Sequence, residues 1–438
     1  MSKNNKIVDF LESGEDFPTE SVPSSARKSW WSIGMVWTGV YISIAGILDG
    51  LAIAGALPFY EGLFALLIGF IIFSIIAVLQ GSIGTKTGLS TYMIARESFG
   101  LKGSHVVSIV AFLGSFGWYI IQCRALAESI VSLIGFGNIG LISLVCGLLM
   151  MITAILGYRG IEALSTPTVI YTFFFMIITA TSTLLRKDTV FSEFFARAPL
   201  GEQLSFSAGV SIIVGAMAVG AAISPDIMRF SRSMKDNFKA MFIIGLPFSI
   251  IQPVSAMILG LASKSSNFGT VMITMGGIWG LIMVVTGAWT SNDNNLYSAS
   301  LAISEVIGNR IKRWKVSIFL GVTASVLAGF IDLAVYDKIM FIICAFVIPV
   351  VGVTISDFYI LPKIGLRGGL TLEANKQLNP AALIAWLIGG ILQASFDFGI
   401  ISPIFGIPGV IITILATMLA YTIIMKATYK DTINSWIN

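Results

Sequence analysis

The run Trp289-Thr290-Ser291-Asn292-Asp293-Asn294-Asn295 interrupts a long apolar stretch and is the densest patch of polar chemistry in the chain. Hydroxyl oxygens at Thr290 and Ser291 suit a hard cation such as sodium alongside backbone carbonyls, and the amide of Asn292 can both donate to and accept from the edge of a heterocycle. A second pair, Trp118 and Gln122, is spaced i,i+4, so on a helix an indole plane for stacking lies beside an amide for hydrogen bonding. Each group also has a plainer reading. Polar residues in a membrane helix bridge helices, and a membrane tryptophan packs or anchors at the interface. None of them makes a catalytic set. The single histidine, His105, and the three unpaired-looking cysteines Cys123, Cys146 and Cys344 cannot build a zinc cluster or a disulfide framework, and no nucleophile stands beside a base. The chain is therefore expected not to be an enzyme and to need no cofactor.

The elements that must carry these residues follow from composition. Of 438 residues, 56% are hydrophobic and only 11% charged, where a soluble domain would have about 25% charged. The basic residues are scattered and form no stripe, which argues against nucleic acid. Apolar runs predict twelve membrane spans at 31–57, 62–80, 105–133, 138–158, 165–185, 207–229, 239–262, 270–304, 316–335, 339–361, 381–398 and 404–425. Twenty-one Lys and Arg fall on one side of that topology and 5 on the other, with Arg124 inside a span. The bias predicts both termini in the cytoplasm of a multi-pass protein of the plasma or inner membrane. The first 28 residues are polar and read as a tail, not as a cleaved signal.

The polar connection after residue 185 separates two blocks of five spans. A carrier built from inverted repeats opens each repeat with a discontinuous helix. Span 1 holds Gly39, Gly46, Gly50 and Gly55, and span 6 runs from Gly215 through Gly220 to Ser224-Pro225-Asp226. Pro225 cannot continue the hydrogen-bond ladder, and an opened helix frees carbonyls and amides for a ligand. The same glycines are equally suited to close helix packing. Asp49, near the expected break, either titrates in a proton-coupled mechanism or sits in a wet outer vestibule. Arg124 and Glu128 are spaced to neutralise each other, and Asp226 is expected to bridge to Arg229 or Arg232.

Four stretches resemble the nucleobase:cation symporter-1 (NCS1) family, nearest its cytosine permease and purine-cytosine permease branch. They are Pro23-Ser-Ser-Ala-Arg-Lys28, the segment from Gly84-Thr-Lys-Thr-Gly-Leu-Ser90 to Arg96-Glu-Ser-Phe-Gly100, Pro225-Asp-Ile-Met-Arg-Phe230, and Ala288-Trp-Thr-Ser-Asn-Asp-Asn-Asn-Leu-Tyr297. The resemblance implies an all-α polytopic protein with a LeuT-like fold, two inverted five-helix repeats plus two further helices. On that reading residues 1–30 are a cytoplasmic tail, 31–185 the first repeat, 186–206 an extracellular connection, 207–361 the second repeat, 362–425 the last two spans and 426–438 a C-terminal tail. It further implies a central site between spans 1, 3, 6 and 8. There Trp118 stacks on the base, Asn292 bonds it, and Gly39, Ile42, Ser43, Thr290 and Ser291 hold sodium. Gln122, Ser115, Met217, Val219 and Gly220 complete the substrate pocket.

Departures from the cytosine permeases bear on the substrate. Ser115 stands where they place a glutamine, Met217 where they have an aromatic, and Val219 where they have a serine. A less polar and less aromatic pocket is expected, and each unmet polar group costs about 1–3 kcal/mol. The resulting expectation is cation-coupled, sodium-driven uptake of a nucleobase such as cytosine or a related heterocycle. The alternative is proton-coupled uptake of another neutral ring: a purine, an allantoin- or hydantoin-like compound or a pyrimidine vitamin precursor. The partners expected are that small molecule, Na+ or H+ and the lipid bilayer, with no nucleic acid and no obligate protein partner.

Overall fold

Side-chain caps show where these helices begin. Ser29 accepts from the Ser32 amide at the head of α1 (Trp30–Tyr41), and Ser43 accepts from Ala45 at the head of α2 (Ile44–Ala56). Each cap satisfies one backbone donor that the first turn leaves unpaired. In a computed structural model of the chain, the residues described are 17–186, 190–266, 268, 270–271, 276–331, 342–366 and 377–428. Among them every regular element is helical, and one isolated bridge joins Lys28 to Ser231.

After α2 come α3 (Phe59–Thr87), the short α4 (Thr91–Phe99), α5 (Leu101–Ile134), α6 (Ile139–Ile155) and α7 (Tyr158–Leu184). The second half holds α8 (Phe191–Phe195), α9 (Phe206–Ala222), α10 (Pro225–Met228) and α11 (Met234–Ser263). It continues through α12 (Ile278–Val306), α13 (Arg313–Ala328) and α14 (Ile342–Ile364), and α15 (Pro380–Asp397) and α16 (Gly409–Thr428) close the chain. Among the described residues seven helices are long and apolar enough to cross a bilayer, and the bent α1–α2 pair makes an eighth. The shorter α6 and α9 are also apolar. Parts of the spans expected at 270–304, 316–335 and 339–361 lie outside the described residues.

Two features of this chain of helices position the site. Expected span 1 is broken: α1 and α2 meet at 61° around Ile42 and Ser43. Expected span 6 is interrupted as well, with α9 ending at Ala222 and a new turn starting at Pro225. Pro225 lacks the amide that would continue the ladder, so the break falls where the sequence placed it.

The packing is apolar on both sides of the wall. Phe64, Leu415, Leu419 and Ile423 are exposed large hydrophobics, as a lipid-facing surface requires. One interior cluster joins α1, α3 and α9 through Trp37, Phe73 and Ile213, and another joins α5, α6, α12 and α13 through Tyr119, Met150, Leu296 and Leu320. Gly50 allows a close approach: a Cβ there would run into the backbone carbonyl of Pro253 on α11.

Both ends of the broken helices are tied down. The carbonyls of Ala54, Gly55 and Ala56, left open at the end of α2, accept from Leu200, Gly201 and Leu204 at 2.9 Å each. At the other end the segment before α1 is docked and is not a free tail from residue 17 onward. Val22 donates to the Gly88 carbonyl at 3.0 Å, Lys28 to that of Phe230 at 2.6 Å, and Arg27 to those of Thr85 at 2.6 Å and Ser231 at 2.8 Å. Arg229 reaches the Phe17 carbonyl and the Tyr297 hydroxyl, and it meets Asp226 through the main chain, its Nε donating to the Asp226 carbonyl at 3.3 Å. The Asp226 carboxylate accepts from the Thr91 amide at 2.9 Å. The expected Arg124–Glu128 pair does form, at 2.7 Å.

Candidate functional site

The two helix breaks face one cavity of about 90 Å³, the scale of a few waters or one small ring. Its walls come from four helices: Trp37, Tyr41, Ser43 and Asp49 from the α1–α2 pair, Trp118 and Gln122 from α5, Met217, Val219 and Gly220 from α9, and Ser291, Asn294, Asn295 and Ser298 from α12. Trp118 and Gln122 thus share the face that their spacing required. Gln122 is oriented by its Nε2, which donates to the Ser291 hydroxyl at 2.7 Å.

Helical geometry explains why α12 does not use all its polar residues in one place. Neighbouring residues on a helix point about 100° apart. Ser291, Asn294, Asn295 and Ser298 therefore share the cavity face, while Thr290 turns to one flank and Asn292 to the other.

Asn292 requires a correction. The resemblance assigned it to the base, yet it is fully buried off the cavity against α5 and α6. Its Nδ2 donates to the Tyr119 carbonyl at 3.1 Å and lies 3.3 Å from the Cys123 sulfur, and its Oδ1 accepts from Asn295 at 3.2 Å. Asn292→Ala is accordingly expected to lower the thermal midpoint of the ligand-free protein by a few degrees, because a buried acceptor loses its donor. Substrate affinity should stay within about threefold of the parent, since the lost contacts are worth about 1–3 kcal/mol to folding and not to the ligand. An unaltered midpoint combined with lost binding in a titration would return this amide to the pocket.

Ser115 also falls outside the cavity. It is buried one turn before Trp118 and is not part of the cavity lining.

On the other flank of α12, Thr290 meets the break in the first span. Its hydroxyl hydrogen-bonds that of Ser165 on α7, and a Cβ added to Gly39 would stand 2.6 Å from both oxygens. Ile42 turns its carbonyl onto Gly287, one turn before Thr290. The Ser43 amide bonds the Tyr41 carbonyl at 2.8 Å, so Gly39 loses the partner that a continuous helix would give its carbonyl. Hydroxyl and carbonyl oxygens are the donors a hard monovalent cation takes, and the corner fits one. Of the other members of the expected ion set, Ser43 caps α2 with its hydroxyl, which leaves the carbonyl by which it was expected to act, and the Ser291 hydroxyl accepts from Gln122.

Several wall residues were not singled out from sequence as pocket groups, Trp37, Tyr41 and Asp49 among them, nor was Ser165 at the corner. Trp37 stacks on Tyr41 with ring centroids 5.7 Å apart, so the first span supplies the aromatic surface that Met217 does not. Asp49 lies on the cavity wall, 8% exposed. A scan of span 1 for aromatic and acidic residues flanking the glycine break was the available signal. Ser165 gave none, because one serine in an apolar helix is indistinguishable from a packing residue.

Comparison with known proteins bears on the family and the fold. A family profile described as "Permease for cytosine/purines, uracil, thiamine, allantoin" matches residues 21–413. The cytosine permease of Escherichia coli (strain K12) is 28% identical over 354 residues, covering 80% of this chain and 82% of that one. Among solved structures, the nucleobase-cation-symport-1 transporter Mhp1, in a closed conformation with bromovinylhydantoin bound, superposes with a TM-score of 0.78 at 17% identity over 94% of this chain and 95% of that chain. A Na+-coupled sialic acid symporter in a substrate-bound outward-open state superposes with a TM-score of 0.71 at 16% identity, over 97% and 96% of the two chains. The fold is LeuT-like, as the resemblance implied.

Proposed function

The chain belongs to the nucleobase:cation symporter-1 family, the permeases for cytosine/purines, uracil, thiamine and allantoin, and from that premise we propose that it is a sodium-coupled symporter carrying a cytosine-like nucleobase or related small heterocycle into the cell. The observation that carries the reading is one small cavity at two helix breaks, walled by two tryptophans and polar groups from four helices, with an oxygen-lined corner beside it. The relatives support it by what they are named for: a cytosine permease, a hydantoin-bound transporter and a Na+-coupled symporter.

In this proposal the ring stacks on Trp118 between Gln122 and the Met217–Gly220 wall, and the ion sits among Thr290, Ser165, Ile42 and Gly39. Sodium at the corner joins α1 to α12 and α7, so it favours the conformation whose cavity is complete. Substrate favours the same conformation, and two ligands that stabilise one state raise each other's affinity. Twelve spans, the division of the chain given above and cytoplasmic termini belong to the same proposal.

Purified protein in liposomes is expected to accumulate radiolabelled cytosine under an inward sodium gradient and to stop when that gradient is dissipated. The competing reading, proton-coupled uptake of another neutral ring, is favoured by the ionisable Asp49 on the cavity wall. Uptake that continues without sodium and collapses with a protonophore would replace the first reading by the second.

A further inference from the structure

The cavity wall carries unmet acceptors. Asp49 Oδ2, Gln122 Oε1 and Asn294 Oδ1 are buried acceptors with no hydrogen-bond partner among the described residues. Both amide nitrogens already donate within the bundle, Gln122 to Ser291 at 2.7 Å and Asn294 to the Thr290 carbonyl at 2.8 Å. On the same wall Trp37 Nε1 is an unpartnered donor, the Tyr41 hydroxyl can act either way, and the Ser43 and Ser291 hydroxyls, which accept from Ala45 and Gln122, each keep an O–H to give.

Asp49 is the most demanding of them. It is buried, and no ion pair among the described residues includes it. A carboxyl group left so in a membrane protein is costly to keep unless something supplies donors to it. The packing gives no structural reason for an acid there, since its oxygen holds no helix, cap or loop.

We infer that Asp49 contacts the substrate directly, its carboxyl accepting from an exocyclic amine, so that the carrier selects amino-bearing heterocycles over rings that carry hydrogen or oxygen at that position. Two amide oxygens on the same wall suit further ring N–H groups of the same ligand. An oxo group in place of the amine sets an acceptor against the Asp49 carboxyl and leaves it unmet. The inference rests on the proposed function and sharpens its substrate class.

The test uses full-length purified protein and equilibrium binding of two ligand pairs: cytosine with pyrimidin-2(1H)-one, and adenine with purine. In each pair the second ligand lacks only the amine. The parent protein is expected to prefer the amino member by about 10- to 100-fold, the range set by one unmet buried hydrogen bond. In Asp49→Ala that ratio should fall to within about threefold of unity, with sodium activation unchanged. The ligand-free variant should be as stable as the parent, because Asp49 makes no bond to lose, and Asp49→Asn, which keeps a carbonyl acceptor, should retain part of the preference. An undiminished ratio in Asp49→Ala would overturn the inference while leaving the transporter reading intact. So would a shifted sodium dependence at constant ratio, which would assign the carboxyl to the ion. Failure of the parent to bind any of the four rings would overturn the proposed function and this inference with it.

Discussion

Trp118→Ala is expected to weaken substrate binding by roughly 150-fold, about 3 kcal/mol, and to abolish uptake at substrate concentrations that saturate the parent. The magnitude follows from area and geometry. Trp118 is half-buried on the cavity wall, so one face of a large ring is available to the ligand. Covering on the order of 100 Å² of apolar surface contributes about 2.5 kcal/mol, and a well-placed aromatic pair adds about 0.5–1.5. Trp118→Phe keeps a plane and should recover most of the binding. Isothermal titration gives the comparison directly, with the thermal midpoint of the ligand-free variant as the control for folding. A Trp118→Ala protein that binds its ring normally would place the substrate outside this cavity.

Thr290→Ala is expected to raise the sodium concentration for half-maximal uptake at least tenfold, with a much smaller effect on substrate affinity at saturating sodium. The hydroxyl is fully buried at the corner where the Gly39 and Ile42 break meets α12, with Ser165 as its neighbour. Removing one of a few oxygen donors leaves the ion partly unsolvated in a site that water does not replace well. Thr290→Ser keeps the oxygen and should behave like the parent, while Ser291→Ala should leave sodium dependence alone, because that hydroxyl is occupied by Gln122. Sodium titrations of uptake in liposomes separate these variants. Equal sodium dependence in Thr290→Ala and the parent would remove the corner as the ion site.

The contrast among Thr290, Ser291 and Asn292 shows why the site was only partly legible in advance. The run is adjacent in sequence and polar throughout, so it stood out at once. A rotation of about 100° per residue sends its members to three surroundings: the α7 corner, the cavity and the α5–α6 packing. Which member faces which surrounding depends on the rotation of α12 about its axis, and that is set by what packs around it.

Composition and local chemistry by themselves determined a great deal. Apolar run lengths dictated membrane helices, the i,i+4 spacing put Trp118 and Gln122 on one face, and glycines and Pro225 marked the two interruptions, because each rests on short-range sterics and hydrogen bonding. Tertiary structure alone decided which polar atoms were satisfied. It turned Asn292 inward, brought Ser165 to Thr290, set Trp37 and Tyr41 on the wall and left Asp49 Oδ2 without a hydrogen-bond partner among the described residues. The physical reason is that satisfaction of a buried polar group is a property of its neighbours across helices, and in this bundle those neighbours come from positions more than 100 residues away.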